Sequence, residues 1–438
     1  MNIIITKEFI DYIKYRAGKK NHTNYYAQIL KIERLKRHMT LEEAARGICS
    51  ISYLSKLENQ NIEGVNNEYL KFLCERYEIP YDALNQVTDV DTVLDCIRAY
   101  FFHDYDKIIE IYESMPKITF NSPQALVSCL YFFIKKDYAS LEDEMKNIDA
   151  VKFTLCDVEC LIFVFLLSLY HITVHNYKEA YDILKAVSTI NSEDLILKLL
   201  MLEATFVAAL HIGKIATLIK SYEDIEKNMF LGYPEAKRTI MRLIYDIAIC
   251  DEFPQNVLDD LKTLRTEGYK EKDQNKISYF TYVCKLKLAL SKHDLLSIYD
   301  EIKTKNLISD PEFIGLACFI ALKLNARVYY REIEKTVLEH IDNYKDDLNN
   351  IHLKFFMFTM NYASFSNDKE VIEYMRYNIM NNLNNEQHFL YNKVYIETFS
   401  ELLAKDGKYK DAYLYSDGDK KDIKAFKERI HVLKVPTL

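Results

Sequence analysis

Residues 47–59 read GICSISYLSKLEN. On a helix of 3.6 residues per turn that starts after Ser50, the side chains of Ile51, Leu54 and Leu57 share one face. Ser52, Tyr53, Lys56 and Asn59 fall on the other faces. One side is therefore aliphatic, and the opposite side carries short hydrogen-bonding groups, an aromatic ring and a cation. Such a surface is equipped to read base edges and touch phosphates. The residues just upstream are punctuated to match. Thr40 and Glu43 form a T-x-x-E capping box that satisfies orphan amides at the start of LEEAAR. Gly47 tolerates left-handed geometry at the turn, and Ser50 can cap the helix that follows. Leu41, Ala44 and Ala45 offer the aliphatic face a partner, with alanines small enough for a close crossing. Two helices joined by a tight glycine-containing turn predict a helix-turn-helix whose second helix enters the DNA major groove.

Working outward, QILKIERLKRH predicts a preceding helix that ends near His38. After the loop QNIEGV, Asn66 or Asn67 starts EYLKFLCERYEI, which Pro80 closes. Helices this short are not stable singly in water and must share one core. The charge is local as well. The whole chain carries −8, yet residues 1–57 hold eleven Lys/Arg against five Asp/Glu, so this end is near +6 and the remainder near −14. A basic head on an acidic body suits a small DNA-binding module joined to something else.

At 438 residues the chain exceeds the usual single domain, so it is multidomain or a solenoid. Gly (9) and Pro (7) are scarce against average usage of about 7% and 5%, and both residues punctuate helices. The expected fold class is therefore all-α. From about residue 90 a theme recurs in HDYDKIIEIYESM (103–115), KDYASLEDEMKNI (136–148), HNYKEAYDILKAV (175–187) and GKYKDAYLY (407–415). A polar residue and a tyrosine follow a longer apolar helix and open a shorter one. Weaker echoes start at 213, 291 and 366, and NSP at 121–123 predicts a Ser cap followed by Pro in the first helical turn. Helix-pair repeats of this length resemble degenerate tetratricopeptide repeats, with a generic helical array as the alternative. The expected division is an N-terminal extension over 1–27, a helix-turn-helix domain over 28–86, a linker over 87–95 and a repeat domain over 96–438.

Nine cysteines, odd in number, scattered and without a CxxC pair, fit reduced thiols in a cytoplasmic protein. The N-terminal MNIIITKEFIDYIKYR lacks a cleavage site. The most apolar run, CLIFVFLLSLY at 160–170, is well short of the roughly 18 to 20 residues that span a bilayer, and reads as a buried helix. No Gly-rich phosphate loop, HExxH or GxSxG occurs. His171 and His175 lie at i, i+4 without a placed third ligand, and read as a pair at a helix turn. The expectation is a non-enzymatic protein that needs no cofactor, no metal and no membrane.

TLEEAARGICSISYLSKLEN, followed by NNEYLKFLCERYEIPYDAL, resembles the five-helix lambda-repressor/Cro-type DNA-binding domain. The wording G-I-C-S-x-S-Y-L-S-K further resembles the RRNPP family of peptide-sensing regulators from Gram-positive bacteria. The likeness covers residues 28–86 by sequence and 90–438 by architecture alone. Ala44 departs from a commoner Leu, the turn is about one residue tighter, and the first 26 residues lie outside the motif, with Lys19 and Lys20 as further phosphate candidates. The resemblance implies a five-helix helix-turn-helix domain followed by a right-handed α-solenoid of degenerate tetratricopeptide-like repeats. It implies a homodimer that binds promoter DNA and a short signalling peptide. Carried over, it gives Ser52, Tyr53 and Lys56 groove-facing roles, with Asn59 as a further DNA-binding candidate. Ser50 and Thr40, at helix N-termini, and nearby Arg34, Lys36 and Arg37 would meet phosphate, while Glu58 makes an internal polar contact. It also implies asparagine clamps on an extended peptide, for which Asn325, Asn361 and Asn392 are candidates, with Tyr362 and Tyr395 as apolar walls. Two alternatives are a helical-repeat adaptor that docks and inhibits a partner protein, and a phage- or plasmid-type repressor without a peptide ligand.

Overall fold

The computed structural model describes residues 3, 5–16, 25–62, 64–85, 88–116, 120–190, 192–249, 269–289, 291–339, 351–365, 367–383 and 388–415. The fold is all-α, with helices joined by turns and no strand among the described residues. The chain divides into two compact units, Met1–His171 with Glu179–Thr205, and Ile172–Lys178 with Phe206–Leu438.

The first unit begins with α1 (Lys7–Arg16), α2 (Tyr25–Lys36), α3 (Leu41–Ala45), α4 (Ile51–Glu58) and α5 (Asn67–Arg76), then a 3-10 turn at Tyr81–Asn85. It continues through α6 (Val90–Phe101), α7 (Tyr105–Ser114), α8 (Ser122–Lys135), α9 (Tyr138–Val151), α10 (Asp157–Thr173), α11 (Tyr177–Val187) and α12 (Leu195–His211), the last three being shared with the second unit. One small core, with Ile29, Leu30, Ala44, Ala45, Leu54, Leu57, Leu73 and Tyr77 at its centre, joins α2 to α5. The apolar run at 160–170 lies within α10 and is almost wholly buried. The expected linker is helical from Val90, because Asp89 caps α6 by accepting the Thr92 amide at 2.8 Å.

Within the extension over 1–27, residues 7–16 form the helix α1, and residues 25–27 belong to α2. Helix α1 buries Phe9 edge-on against Phe153 (5.9 Å) and Phe163 (6.3 Å), and the Tyr12 hydroxyl donates to the Leu155 carbonyl at 2.9 Å. Helix α2 is held to the same region. The Gln28 amide nitrogen donates to Thr154 Oγ1 at 3.1 Å, and its oxygen accepts the Ser122 amide at 2.9 Å. Beneath it the buried Glu159 carboxylate accepts from the Ser122 hydroxyl (2.6 Å), the Cys156 amide (2.7 Å) and the Tyr25 hydroxyl (3.4 Å). Burial pushes this carboxyl up, and those hydrogen bonds offset part of the rise. Lys19 and Lys20 lie outside the described residues.

The second unit holds the turn Ile172–Lys178 and the end of α12, then α13 (Ile215–Asn228), α14 (Glu235–Ile249), α15 (Glu271–Leu288), α16 (Lys292–Thr304), α17 (Pro311–Leu324), α18 (Arg327–Glu339) and α19 (Ile351–Ser364). It ends with α20 (Asp368–Met375) running into a π-helical turn at Arg376–Met380, then α21 (Tyr391–Lys405) and α22 (Tyr409–Tyr415). Neighbours in sequence pack on one another, α16 on α17, α17 on α18 and α21 on α22, and α17 also packs on α19.

The tyrosine theme marks a specific turn. Tyr105, Tyr138, Tyr177 and Tyr409 each open a helix, and the residue two places earlier (His103, Lys136, His175 or Gly407) is left-handed. At 136–137 the Lys136 amide donates to the Phe133 carbonyl (3.2 Å) and the Asp137 amide to Phe132 (2.9 Å), which closes the orphan carbonyls of α8. Asp137 then caps α9 by accepting the Ser140 amide at 3.1 Å. Asp104 does the same for α7 with Lys107. At NSP the cap is Asn121 rather than Ser122, since its Oδ1 takes the Gln124 amide at 2.9 Å and leaves Ser122 and Pro123 inside the first turn.

Lys136 is exposed, and its φ of 58° carries the steric strain of a left-handed L-residue. Lys136→Gly is expected to raise stability by about 0.5–1 kcal/mol, relief of that strain outweighing the added chain entropy. Urea unfolding followed by circular dichroism reads this as a higher midpoint, and an unchanged or lower midpoint contradicts it.

Candidate nucleic-acid interface

The site rests on α3, α4 and the turn between them. The capping box is formed in full. Thr40 Oγ1 accepts the Glu43 amide at 3.2 Å, and the Glu43 carboxylate accepts the Thr40 amide (2.7 Å) and hydroxyl (2.9 Å). These bonds pull the Glu43 carboxyl below its usual range. Gly47 has φ +74° with open space around its α-carbon, so left-handed geometry and not crowding demands glycine there. Ser50 then caps α4 by accepting the Tyr53 amide at 3.1 Å. Arg76 on α5 donates to the Ala44 (2.7 Å) and Glu43 (3.1 Å) carbonyls, binding α3 to α5.

Beneath α4 lies a buried ion pair. Arg34 on α2 grips Glu58 at the end of α4 with two parallel bonds, Nε to Oε1 and Nη2 to Oε2, both 2.8 Å, while its Nη1 holds the Met39 carbonyl at 2.9 Å. The Arg34 side chain is 11% exposed and that of Glu58 2%. Arg34 is therefore corrected: it orients α4 from within and does not face phosphate. Glu58 makes the expected internal contact.

The remaining expected residues separate into two groups. Ser52, Lys56 and Asn59 are exposed on the outer side of α4, over the buried Leu54 and Leu57. Asn59 also donates to the Ser55 carbonyl at 2.9 Å. Tyr53 is half-buried. Its hydroxyl accepts the Asn66 amide at 2.9 Å, and its ring meets Tyr69 edge-on at 5.2 Å, so it braces the loop into α5. At Thr40 the helix start is occupied by the Glu43 carboxylate, so the anion expected there is supplied by the protein itself. Ser50 remains exposed. Lys36 and Arg37 both pair with Glu33, at 2.9 and 2.5 Å, and Arg37 also holds the Tyr77 carbonyl. Burial pushes the Glu33 carboxyl up, but these two cations outweigh it and hold it low.

Two features leave little trace in the sequence. Ile51 belongs by periodicity to the buried face, yet it is 48% exposed in the first turn of α4, beside Ser52. Only its position at the edge of the aliphatic arc hints at this. The Gln28 joint gives no sequence signal, because an amide in a helix rich in polar residues is ordinary.

The five residues expected to clamp a peptide are placed differently from one another. Asn325 ends α17 in a left-handed conformation (φ +49°), and Asn392 accepts the His388 amide at 3.0 Å, so both serve backbone turns. Asn361 is half-buried on α19. Tyr362 and Tyr395 share Phe358, at 5.9 and 5.0 Å between rings, but Tyr395 is only 6% exposed. A cavity of about 300 Å³ does open at this place, lined by Lys354, Met357, Tyr374, Asn378, Asn382 and Tyr395 among others. Its amides, Asn378 and Asn382, come from the π-helical turn and the residues after it and were not among those expected.

Comparison with protein-family models, with curated proteins and with solved structures finds no match to this chain. Among the described residues no helix is long and apolar enough to cross a membrane, and no cluster of His, Cys, Asp and Glu is arranged to hold a metal ion.

Arg34→Met leaves the Glu58 carboxylate buried without its partner, and is expected to cost about 3–5 kcal/mol. Arg34→Met with Glu58→Leu removes both charges and is expected to recover most of that loss. Chemical denaturation of the two variants and the parent measures it, and equal stability of all three contradicts a buried pair.

Proposed function

We propose that this chain is a sequence-specific DNA-binding regulator whose helical-repeat body senses a short peptide. The supporting observation is the outer face of α4. Ser52, Lys56 and Asn59 stand exposed together, with Ile51 alongside, on a helix locked from beneath by Arg34–Glu58. Hydrogen-bonding side chains and a cation suit base edges and phosphate, and an aliphatic group suits a thymine methyl. In this reading α3 and α4 are a helix-turn-helix, and α2 to α5 with the following 3-10 turn form its five-helix domain. The excess of about six positive charges over residues 1–57 supplies the long-range attraction to DNA.

The remaining helix pairs are read as degenerate tetratricopeptide-like repeats in a right-handed solenoid. The cavity beside Tyr395 is the favoured peptide contact, because amides and an aromatic wall suit an extended backbone. Two copies reading a two-fold site would make the active form a homodimer acting in the cytoplasm. Linkage then requires peptide and DNA affinities to be coupled reciprocally.

Selection of binding sites from a random duplex pool by the full-length protein, followed by gel retardation, tests the DNA reading. Ser52→Ala and Lys56→Ala are each expected to weaken the selected site about 5- to 100-fold without loss of helicity. Tyr53→Phe is expected to bind less tightly only in proportion to the loosened loop before α5. No enriched sequence, or parental binding by the Ser52 and Lys56 variants, would sink the groove assignment.

A further inference from the structure

Four histidines far apart in sequence come together in the second unit, in a place that the DNA and peptide reading does not use. His175 stands in the turn before α11, His211 ends α12, His352 lies in the first turn of α19, and His388 precedes α21. Their rings form a chain, with centroids at 6.0 Å from His175 to His352, 5.4 Å from His352 to His388 and 5.0 Å from His388 to His211. Tyrosines bracket it. His211 stacks on Tyr177 at 3.7 Å and 3°, and His388 stacks on Tyr391 at 3.9 Å and 16°. His352 Nδ1 pairs with the Tyr391 hydroxyl at 2.6 Å, and His175 Nδ1 with the Tyr177 hydroxyl at 3.0 Å. The helix beneath is shaped to receive the cluster. A Cβ on Gly315 of α17 would meet the Tyr391 hydroxyl at 1.6 Å, so glycine stands there to let that ring seat.

We propose that this ring ladder is a proton-operated latch: neutral, it forms part of the core of the second unit, and protonated, it forces that core open. The geometry leaves little room for charge. His388 Nδ1 accepts the Leu390 amide at 3.3 Å, so a proton on that nitrogen would set N–H against N–H. His211 Nδ1 is buried without a hydrogen-bond partner. Each imidazolium would also face its neighbours at 5–6 Å. The charges that act on His211 are His175, His352 and Lys276 of α15, all of one sign. Those acting on His388 are the other three histidines. The nearby carboxylates, Glu312 and Asp310 at the start of α17, act on Tyr177, Tyr279 and Tyr391, with Cys318 of α17 and Tyr395 of α21 also acting on Tyr391.

The direction of the pH effect follows. Burial is the largest influence on three of the rings: it holds His211 and His388 well below the usual imidazole range and His352 at about 3. An unfolded histidine titrates near 6.5, so the unfolded chain takes up protons that the folded one refuses. The stability of this unit is therefore complete above about pH 6.5 and falls as pH drops through that value toward the folded ones. Each of the three rings contributes about a tenfold loss in the folding constant per pH unit below 6, or about a thousandfold together.

The test is an acid titration of the full chain between pH 7.5 and 4.5. Tyrosine near-ultraviolet dichroism follows packing, potentiometry counts protons, and hydrogen exchange corrected for pH locates the opening. The expected result is a steep loss of packing below pH 6, with a step of about three protons at the transition above the smooth uptake of the other histidines and carboxylates, and exchange rising in α19 and α21. His211→Phe keeps a ring on Tyr177 and removes the unpartnered Nδ1. It is expected to match or exceed the parent at pH 7.5 and to take up one proton fewer. His388→Asn, whose Oδ1 can still accept the Leu390 amide, gives the same readout if the first variant does not fold. Packing that survives to pH 4.5, or variants with the parent's proton count, would overturn the latch. So would added zinc raising the parent's melting temperature but not that of His211→Phe, since the rings would then be a metal site.

Discussion

The Arg34–Glu58 pair is the constraint on which the candidate interface depends. Helix α4 is only eight residues long, and a helix of that length has no stability of its own in water. Leu54 and Leu57 press it onto the core, but apolar contact alone tolerates sliding and rotation. The bidentate bond from Arg34 fixes both, because a planar guanidinium meets a carboxylate in one orientation. The same arginine holds the Met39 carbonyl, so the entry to α3 and the exit of α4 are referred to one side chain. The outer face bearing Ser52, Lys56 and Asn59 is aimed by that bond. A pair this enclosed adds less to stability than its distances suggest, since two charges had to leave water. Its contribution is orientation.

The helix pairs obey a different logic. There the repeating unit is a turn rather than a packing motif: a left-handed residue, a polar residue and then a helix opening on tyrosine, and at three of the four strong positions the left-handed residue is not glycine. The turn closes the last carbonyls of one helix, and at Asp104 and Asp137 the polar residue also caps the first amides of the next. Side chains between the turns can then drift, which is why the repeats are recognisable by their punctuation and hardly at all by their interiors.

This difference explains what was legible in the sequence. Caps, turns and periodic aliphatics are local, so Thr40, Glu43, Gly47, Ser50 and Asn66 could be placed from their neighbours alone, and the tyrosine theme located helix starts. Contacts between distant segments leave no such trace. Arg34 looks like any surface cation in KIERLKRH until the fold brings Glu58 against it. Asn325 and Asn392 look like open amides until the backbone shows that they serve turns. Ile51 lies exposed at the edge of the aliphatic arc, and periodicity gives an arc but not its edges. The four histidines are scattered through the sequence and meet only because α12, α19 and the approach to α21 converge.

Gln28 and Glu159 have a consequence for the history of such a chain. A terminal head tied to its body by a loose tether can be exchanged between genes as a cassette, because nothing else registers the swap. Here α1 and α2 lie within the same compact unit as α6 to α10, with Phe9, Tyr12 and Gln28 spending their side chains on the body. A foreign head spliced on near residue 86 would arrive without those contacts and would leave the Ser122 amide and Thr154 facing nothing built for them. Head and body are therefore bound to change as one piece, since a substitution on α1 or α2 is felt at α8 and α10.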